Sequence, residues 1–206
     1  MLFDTGGNGQ ILLTNMQALS IDPERIQALV LSHIHSDHTG GLDALLAVVS
    51  RPAVYLLPSF GKAYNQKVEQ AAEGIEVTPG QMITEDMLTT GEIGGDIPEQ
   101  ALIVRTPPGL VIITGCAHPG IVQIIERAIG LTGEPVHLVL GGFHLSETSG
   151  PEMAAIIADF RRLGVQKVAP SHCTGDRAIR MFAAEYGEDF LRTGAGSVIN
   201  IDIPDQ

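Results

Sequence analysis

Four short apolar runs in this sequence each stop at a histidine, and that repeated ending constrains the fold more than any other feature. Gln27–Ser32 (QALVLS) leads into His33-Ile34-His35-Ser36-Asp37-His38, and Leu110–Thr114 (LVIIT) into Gly115-Cys116-Ala117-His118. Val136–Leu140 (VHLVL) leads into Gly141-Gly142-Phe143-His144, and Val165–Ala169 into Pro170-Ser171-His172-Cys173. Short runs of this kind, bounded by glycine and proline, read as buried strands. Six of the seven histidines follow such a run, and only His137 lies inside one. If the strands share a continuous sheet, their ends meet at one edge and bring the six imidazoles together.

The intervening segments complete an α/β pattern. Thr39 is expected to N-cap a buried helix through Leu42–Val49. Ala53–Leu57, between Pro52 and Pro58, reads as a strand, and Lys62–Ala72 as a helix ending near Gly74. Ile75 to Glu99 reads as loops and short strand pieces. Ala101–Thr106 and Leu110–Thr114 form a hairpin across Pro107-Pro108-Gly109. Helices follow at Ile121–Ile129 (with Pro119 in its first turn), Pro151–Leu163 and Arg177–Tyr186, and Ser197–Ile203 is the last expected strand.

With 206 residues, no linker and no repeat, residues 1–206 are expected to form a single domain. Tryptophan is absent and aromatics make up 4%, so the core rests on Leu, Ile, Val and Ala. No apolar run reaches the ~18–20 residues that span a bilayer, and the N-terminus lacks a secretory pattern. A soluble, cytoplasmic protein without membrane contact is expected. The net charge of −12 argues against a nucleic-acid partner, whose phosphates require Lys and Arg. Two cysteines are too few for a disulfide framework.

The spacing of the first histidine cluster carries the chemistry. In an extended turn His33 and His35 point the same way and can face one ion. Asp37 and His38 fall on the opening turn of the next helix, within reach of a second ion. Imidazole with carboxylate suits two divalent metals, zinc first, with iron or manganese as alternatives. Gly40 and Gly41 keep side chains out of the crowded turn. A single strand-end histidine is ordinarily structural, but three with a carboxylate in six positions are not. Two neighbouring metals can activate a water and clamp the oxygen on which charge develops.

His33-Ile34-His35-Ser36-Asp37-His38 matches the H-x-H-x-D-H signature of the metallo-β-lactamase superfamily, and Leu2-Phe3-Asp4-Thr5-Gly6 resembles its strand-end Asp-Thr-Gly. The blocks PEQALIV, GLVIITGCAHPGIV, LVLGGFHL and APSHCTG resemble the dihydropterin–ribofuranosylaminobenzene phosphate synthase branch of that superfamily. The resemblance implies an αββα sandwich, two mixed sheets flanked by helices, with metals at one edge. It implies that His33, His35 and His118 hold one metal, and that Asp37, His38 and His172 hold the other. The resemblance also implies that Asp4 braces the histidine loop from behind.

Asp37 and His144 are the candidate catalytic residues, and His144 orients substrate, lines the pocket or adds a ligand. The family usually places a metal-bridging Asp where this chain reads Gly-Cys-Ala-His. Cys116 stands near that place, either as a thiolate ligand or as a small residue in a tight turn, and Cys173 is read as structural. The family's usual first strands are expected to be missing ahead of Leu2, which would open a sheet edge.

The implied activity takes a small anionic substrate. It is either hydrolysis of an ester, lactone or phosphoester, or a synthase reaction in which metals promote loss of pyrophosphate from a pterin. A metal-binding module without turnover is the alternative. Oligomeric state has no signature in the sequence.

Overall fold

A computed structural model describes residues 1–201. It contains two sheets. The first joins β1 (Leu2–Phe3), β2 (Ala28–Val30), β3 (Ala53–Leu56) and β4 (Glu73–Glu76) in that order, all parallel. The second has the order β10-β9-β8-β7-β6-β5. Its members are β5 (Met82–Thr84), β6 (Met87–Thr89), β7 (Leu102–Thr106), β8 (Gly109–Thr114), β9 (Val136–Gly142) and β10 (Lys167–Ser171). Strands β8, β9 and β10 run parallel, whereas β5 to β8 are antiparallel.

Side-chain alternation separates the layers. On β7, Ile103 faces the helices α5 (Ile121–Thr132), α6 (Gly150–Arg162) and α7 (Asp176–Tyr186), while its neighbour Leu102 joins the core shared with the first sheet. On β8, Leu110 and Ile112 point to the helical side and Ile113 to the other. The outer face of the first sheet is covered by α1 (Gly9–Ala18), α3 (Leu42–Leu46) and α4 (Lys62–Glu69), which contribute Met16, Leu42, Leu45 and Val68 to the core. The result is a helix–sheet–sheet–helix sandwich in which Leu29, Val30 and Leu31 are fully buried. Each such aliphatic side chain stabilises the fold by roughly 1.5–3 kcal/mol.

Several expected elements are shifted, for local reasons. Thr39 does not cap a long helix: it ends a one-turn helix α2 (Ser36–Thr39), and its hydroxyl donates back to the His35 carbonyl. The following helix stops at Leu46 rather than Val49. Pro119 lies ahead of α5, in a turn closed by Gly120 N–H to the Ala117 carbonyl. That helix continues past Ile129 and ends at Gly133, which takes a left-handed conformation. The tenth strand begins at Lys167, two residues beyond the expected start.

The expected last strand, Ser197–Ile203, is not formed over residues 197–201, and positions 202–203 lie outside the described residues. The outer edge of β10 is already met by Phe190 and Leu191, whose amide donates to the Val168 carbonyl. Ile199 and Ile201 pack as side chains against Val111, Leu138 and Ala169 without joining the ladder. Helix α1 was not anticipated; its signal is Asn8, whose side chain accepts from the Ile11 amide.

A candidate dinuclear metal site

The loops after β1, β2, β8, β9 and β10 meet at one end of the sandwich. Asp4, Ala117, His144 and His172 all sit in them with φ between 51° and 61°. Left-handed backbone costs a non-glycine residue roughly 1–2 kcal/mol, so four instances around one spot mark a constrained site. The turn after β2 is compact as well: a Cβ on Gly40 would lie 2.5 Å from the Ser36 carbonyl oxygen, and one on Gly41 2.3 Å from that of Thr5.

Two ligand groups result. His33, His35 and His118 form one, and Asp37, His38, Cys116 and His172 the other. His33 Nε2 lies 3.1 Å from His35 Nδ1, and the His33 and His118 rings are 4.8 Å apart. In the second group His38 Nε2 lies 3.2 Å from His172 Nε2, 3.3 Å from Cys116 Sγ and 3.4 Å from Asp37 Oδ2. Asp37 Oδ2 is 3.3 Å from His172 Nε2. His33, His38 and Cys116 are buried, while Asp37 and His172 stand exposed at the rim. His144, also exposed, lies with its ring 4.3 Å from that of His118.

Hydrogen bonds fix how these rings are presented. The Ser32 amide and hydroxyl both donate to the Asp4 carboxylate, at 2.7 Å each. With its proton committed there, the Ser32 oxygen accepts from His33 Nδ1 at 2.9 Å, leaving a lone pair on His33 Nε2. His38 Nδ1 donates to Asp4 Oδ2 at 2.6 Å, which leaves a lone pair on His38 Nε2. Asp4 therefore orients one imidazole in each group, through Ser32 in one case and directly in the other.

Burial, with the neighbouring His38, His118, His35 and His172, holds the His33 imidazole down to about 2. Burial and the adjacent His144 and His35 hold His118 down to about 4. Both rings are therefore neutral at pH 7, the state a metal requires. Burial alone would lower His38 too, but its hydrogen bond to Asp4 and the Asp4, Asp37 and Glu99 charges raise it overall.

The donor set fits metal. The lone pairs that His33 Nε2 and His38 Nε2 present face the ring nitrogens of His35 and His172 at 3.1 and 3.2 Å, an arrangement in which one cation can be shared by both rings of each pair. A tetrahedral ion with ~2.0–2.1 Å bonds separates its ligands by about 3.3–3.4 Å, close to the spacings seen here. His118 Nε2 is buried with no hydrogen-bond partner.

Two residues that sequence reasoning passed over hold the site together. Glu99 is fully buried, and Oε1 accepts from the amides of Gly115, Cys116 and Ala117 at 2.9–3.0 Å. Its Oε2 accepts from the His118 amide at 2.9 Å. One carboxylate thus shapes the loop that carries a ligand of each group. Burial raises its carboxyl above the usual carboxylate range, and the amides of Ala117, His118 and Cys116 offset only part of that rise. Gln100, next in sequence, donates through Nε2 to the carbonyls of Leu31 and Tyr55, and its amide donates to the Ser32 carbonyl. It ties the second sheet to the strand end that presents His33. Both belong to the block PEQALIV.

The metallo-β-lactamase superfamily model matches residues 1–122. The chain is also 30% identical, over 245 aligned residues, to the 7,8-dihydropterin-6-methyl-4-(β-D-ribofuranosyl)-aminobenzene-5′-phosphate synthase of Methanocaldococcus jannaschii, covering 97% of this chain and 83% of that protein. The chain belongs to the metallo-β-lactamase superfamily.

Among solved members of the superfamily, a metal-dependent hydrolase, Tm1679, superposes with a TM-score of 0.84 at 30% identity, over 98% of this chain and 89% of that one. The metallo-β-lactamase fold protein YhfI from Bacillus subtilis superposes with a TM-score of 0.71 at 14% identity, over 97% and 87% of the two chains, a likeness of fold alone. Cys116, near the place where a bridging carboxylate was expected, stands with Asp37, His38 and His172.

Proposed function

We propose that this protein is a metal-dependent enzyme with two divalent ions, zinc foremost. Its substrate would be a small phosphate-bearing anion, with reaction by hydrolysis or by synthase-type loss of pyrophosphate. The observation that carries this reading is the pair of ligand groups in which His33 and His38, oriented through Asp4, each face a second imidazole at close to the separation one ion imposes. His33, His35 and His118 would hold one ion, and Asp37, His38 and His172, with Cys116, the other. Bound there, the ions would supply Lewis acidity toward an anionic oxygen and acidify a water.

The chain's own residues divide the remaining work. Asp4 keeps the Nδ1 protons of His38 and, through Ser32, of His33 turned away from the cavity. Glu99 fixes the loop bearing Cys116 and His118. Asp37, exposed at the rim, can take up a proton released on its side of the centre. His144 stands at the mouth, where its ring is free to orient a substrate as long as it holds no ion of its own. Among the described residues the adjoining cleft is lined by His144, Ser146, Glu147, Thr148 and Glu152, none of them a lysine or arginine. A phosphate would therefore be held by the ions themselves, not by basic side chains.

The synthase version is supported by likeness to the M. jannaschii synthase along nearly the whole chain, and the hydrolase version by likeness to Tm1679 at the same identity. A panel of phosphoesters, lactones and pterin pyrophosphates, assayed with the zinc-loaded protein, separates them. Turnover of a phosphate-bearing member, lost in His38→Ala, is expected. Turnover of uncharged lactones only would overturn the substrate assignment, and no turnover on any member would favour a binding module.

A further inference from the structure

Neither Cys173 nor His144, the residue placed above at the mouth, belongs to the two ligand groups, yet they do not lie apart from them. The sulfur of Cys173, the sulfur of Cys116 and a ring nitrogen of His144 all fall within 4.8 Å of one another. They come from the ends of three adjacent parallel strands, β8, β9 and β10. The approach depends on Gly142: a Cβ there would lie 2.8 Å from Cys173 Sγ, 3.2 Å from Cys116 Cα and 2.3 Å from the Gly115 carbonyl oxygen. Glycine at this point of β9 lets the β10 thiol settle over the strand and reach Cys116.

The surroundings hold the three donors in place. Phe143, 1% exposed, packs against Phe160 and Phe182 and anchors the turn from which His144 projects. The Phe143 amide donates to the Thr174 hydroxyl, which itself donates to the Ser171 carbonyl, so the turn after β9 is pinned to the turn carrying Cys173. Cys116 is buried and Cys173 half-buried, and both are free thiols.

We propose that Cys116, Cys173 and His144 form a third ligand group, a site for a thiophilic ion such as zinc or copper(I), which shares Cys116 with the dinuclear centre. Two thiolates and one imidazole select soft or borderline ions over magnesium, calcium or manganese. As each sulfur–metal bond forms, the thiol releases its proton to solvent. The inference rests on the metal reading above only through the shared Cys116, and occupation of the third group by a soft ion would draw that thiolate away from Asp37, His38 and His172.

Cadmium serves as the probe. The chain is stripped, reloaded with cadmium and followed by its thiolate-to-metal ultraviolet band and by metal content from emission spectrometry. Native protein should show bonds from both sulfurs, and Cys173→Ser should retain about half of the band, since only the Cys116 bond remains. Cys173→Ala, which leaves no oxygen donor, should behave the same way. Metal content should fall by one equivalent in both variants, with the other ions retained. A band and content equal in native protein and both variants would overturn the third group while leaving the dinuclear centre standing. A chain that takes up no cadmium would overturn both readings, and loss of both free thiols in the purified chain would show a disulfide in place of the site.

Discussion

Replacing Glu99 by Gln tests the most economical claim about how this site is built. The side chain keeps its shape and one acceptor oxygen, so the amides of Gly115, Cys116 and Ala117 can remain bonded. The other position now carries an NH2 group facing the His118 amide, two donors where there had been a donor and an acceptor. One charge-assisted hydrogen bond is lost, about 1.5–3 kcal/mol, and a buried N–H is left unsatisfied, about 1–3 kcal/mol. These overlap, so a net loss of about 2–4 kcal/mol is expected. For a chain of this size that lowers Tm by roughly 4–16 °C. Because the loop holds one ligand of each group, zinc affinity should fall about 10–100-fold at both, as it does when ligand-supporting groups are removed elsewhere. Thermal unfolding of the metal-free protein, followed by competition with a chromophoric chelator, measures the two effects separately. A Tm within about 1 °C of native, with both affinities unchanged, would refute the reasoning.

Asp4→Asn leaves His38 Nδ1 without its anionic acceptor, so zinc affinity of the group containing His38 should drop about 10–100-fold in the same competition assay. His33 and His118 carry folded-state pKa values below the 6.5 of the unfolded chain, so the unfolded state binds their protons more readily. Their contribution is fully present above pH 6.5 and lost as pH falls below it, down to about 4 for His118 and about 2 for His33, with His38, which is raised, opposing them. Metal-free protein should therefore show a falling Tm between pH 6.5 and 4, and a flat profile would contradict the neutral assignment. Gly142→Ala forces a Cβ against the Gly115 carbonyl and the Cys173 sulfur and should cost about 1–3 kcal/mol in chemical denaturation.

The α/β class and the ligand loops were legible in the sequence for one physical reason, while the two-sheet sandwich came only from the family resemblance. Metal ligands must come from particular side chains at particular spacings, and strand ends leave a visible boundary between apolar run and turn. His33, His35, Asp37 and His38 could be found that way, and His118, His144 and His172 by the repetition of the same ending. Glu99 and Gln100 could not. Their partners are backbone amides and carbonyls, which every residue possesses, and Gln100 reaches across 69 positions to Leu31. Cys173 reads as structural beside His172 in the chain; its relation to Cys116 appears only when Gly142 lets β10 close over β9. Helix α1 was missed because Ile11, Leu12 and Leu13 form an apolar run without clear helical spacing, and its one signal was the cap at Asn8. Ser197–Ile201 failed as a strand because the edge it would have joined was already taken by Phe190 and Leu191.

The central claim is that two ions occupy the facing ligand groups, and metal content tests it most directly. Protein purified without chelator and measured by emission spectrometry should carry at least about two equivalents of divalent transition metal, and about one more where the group of Cys116, Cys173 and His144 is also filled. His33→Ala and His38→Ala should each remove one of them. Less than about half an equivalent in the native chain, or equal content in the native protein and both variants, would contradict the account.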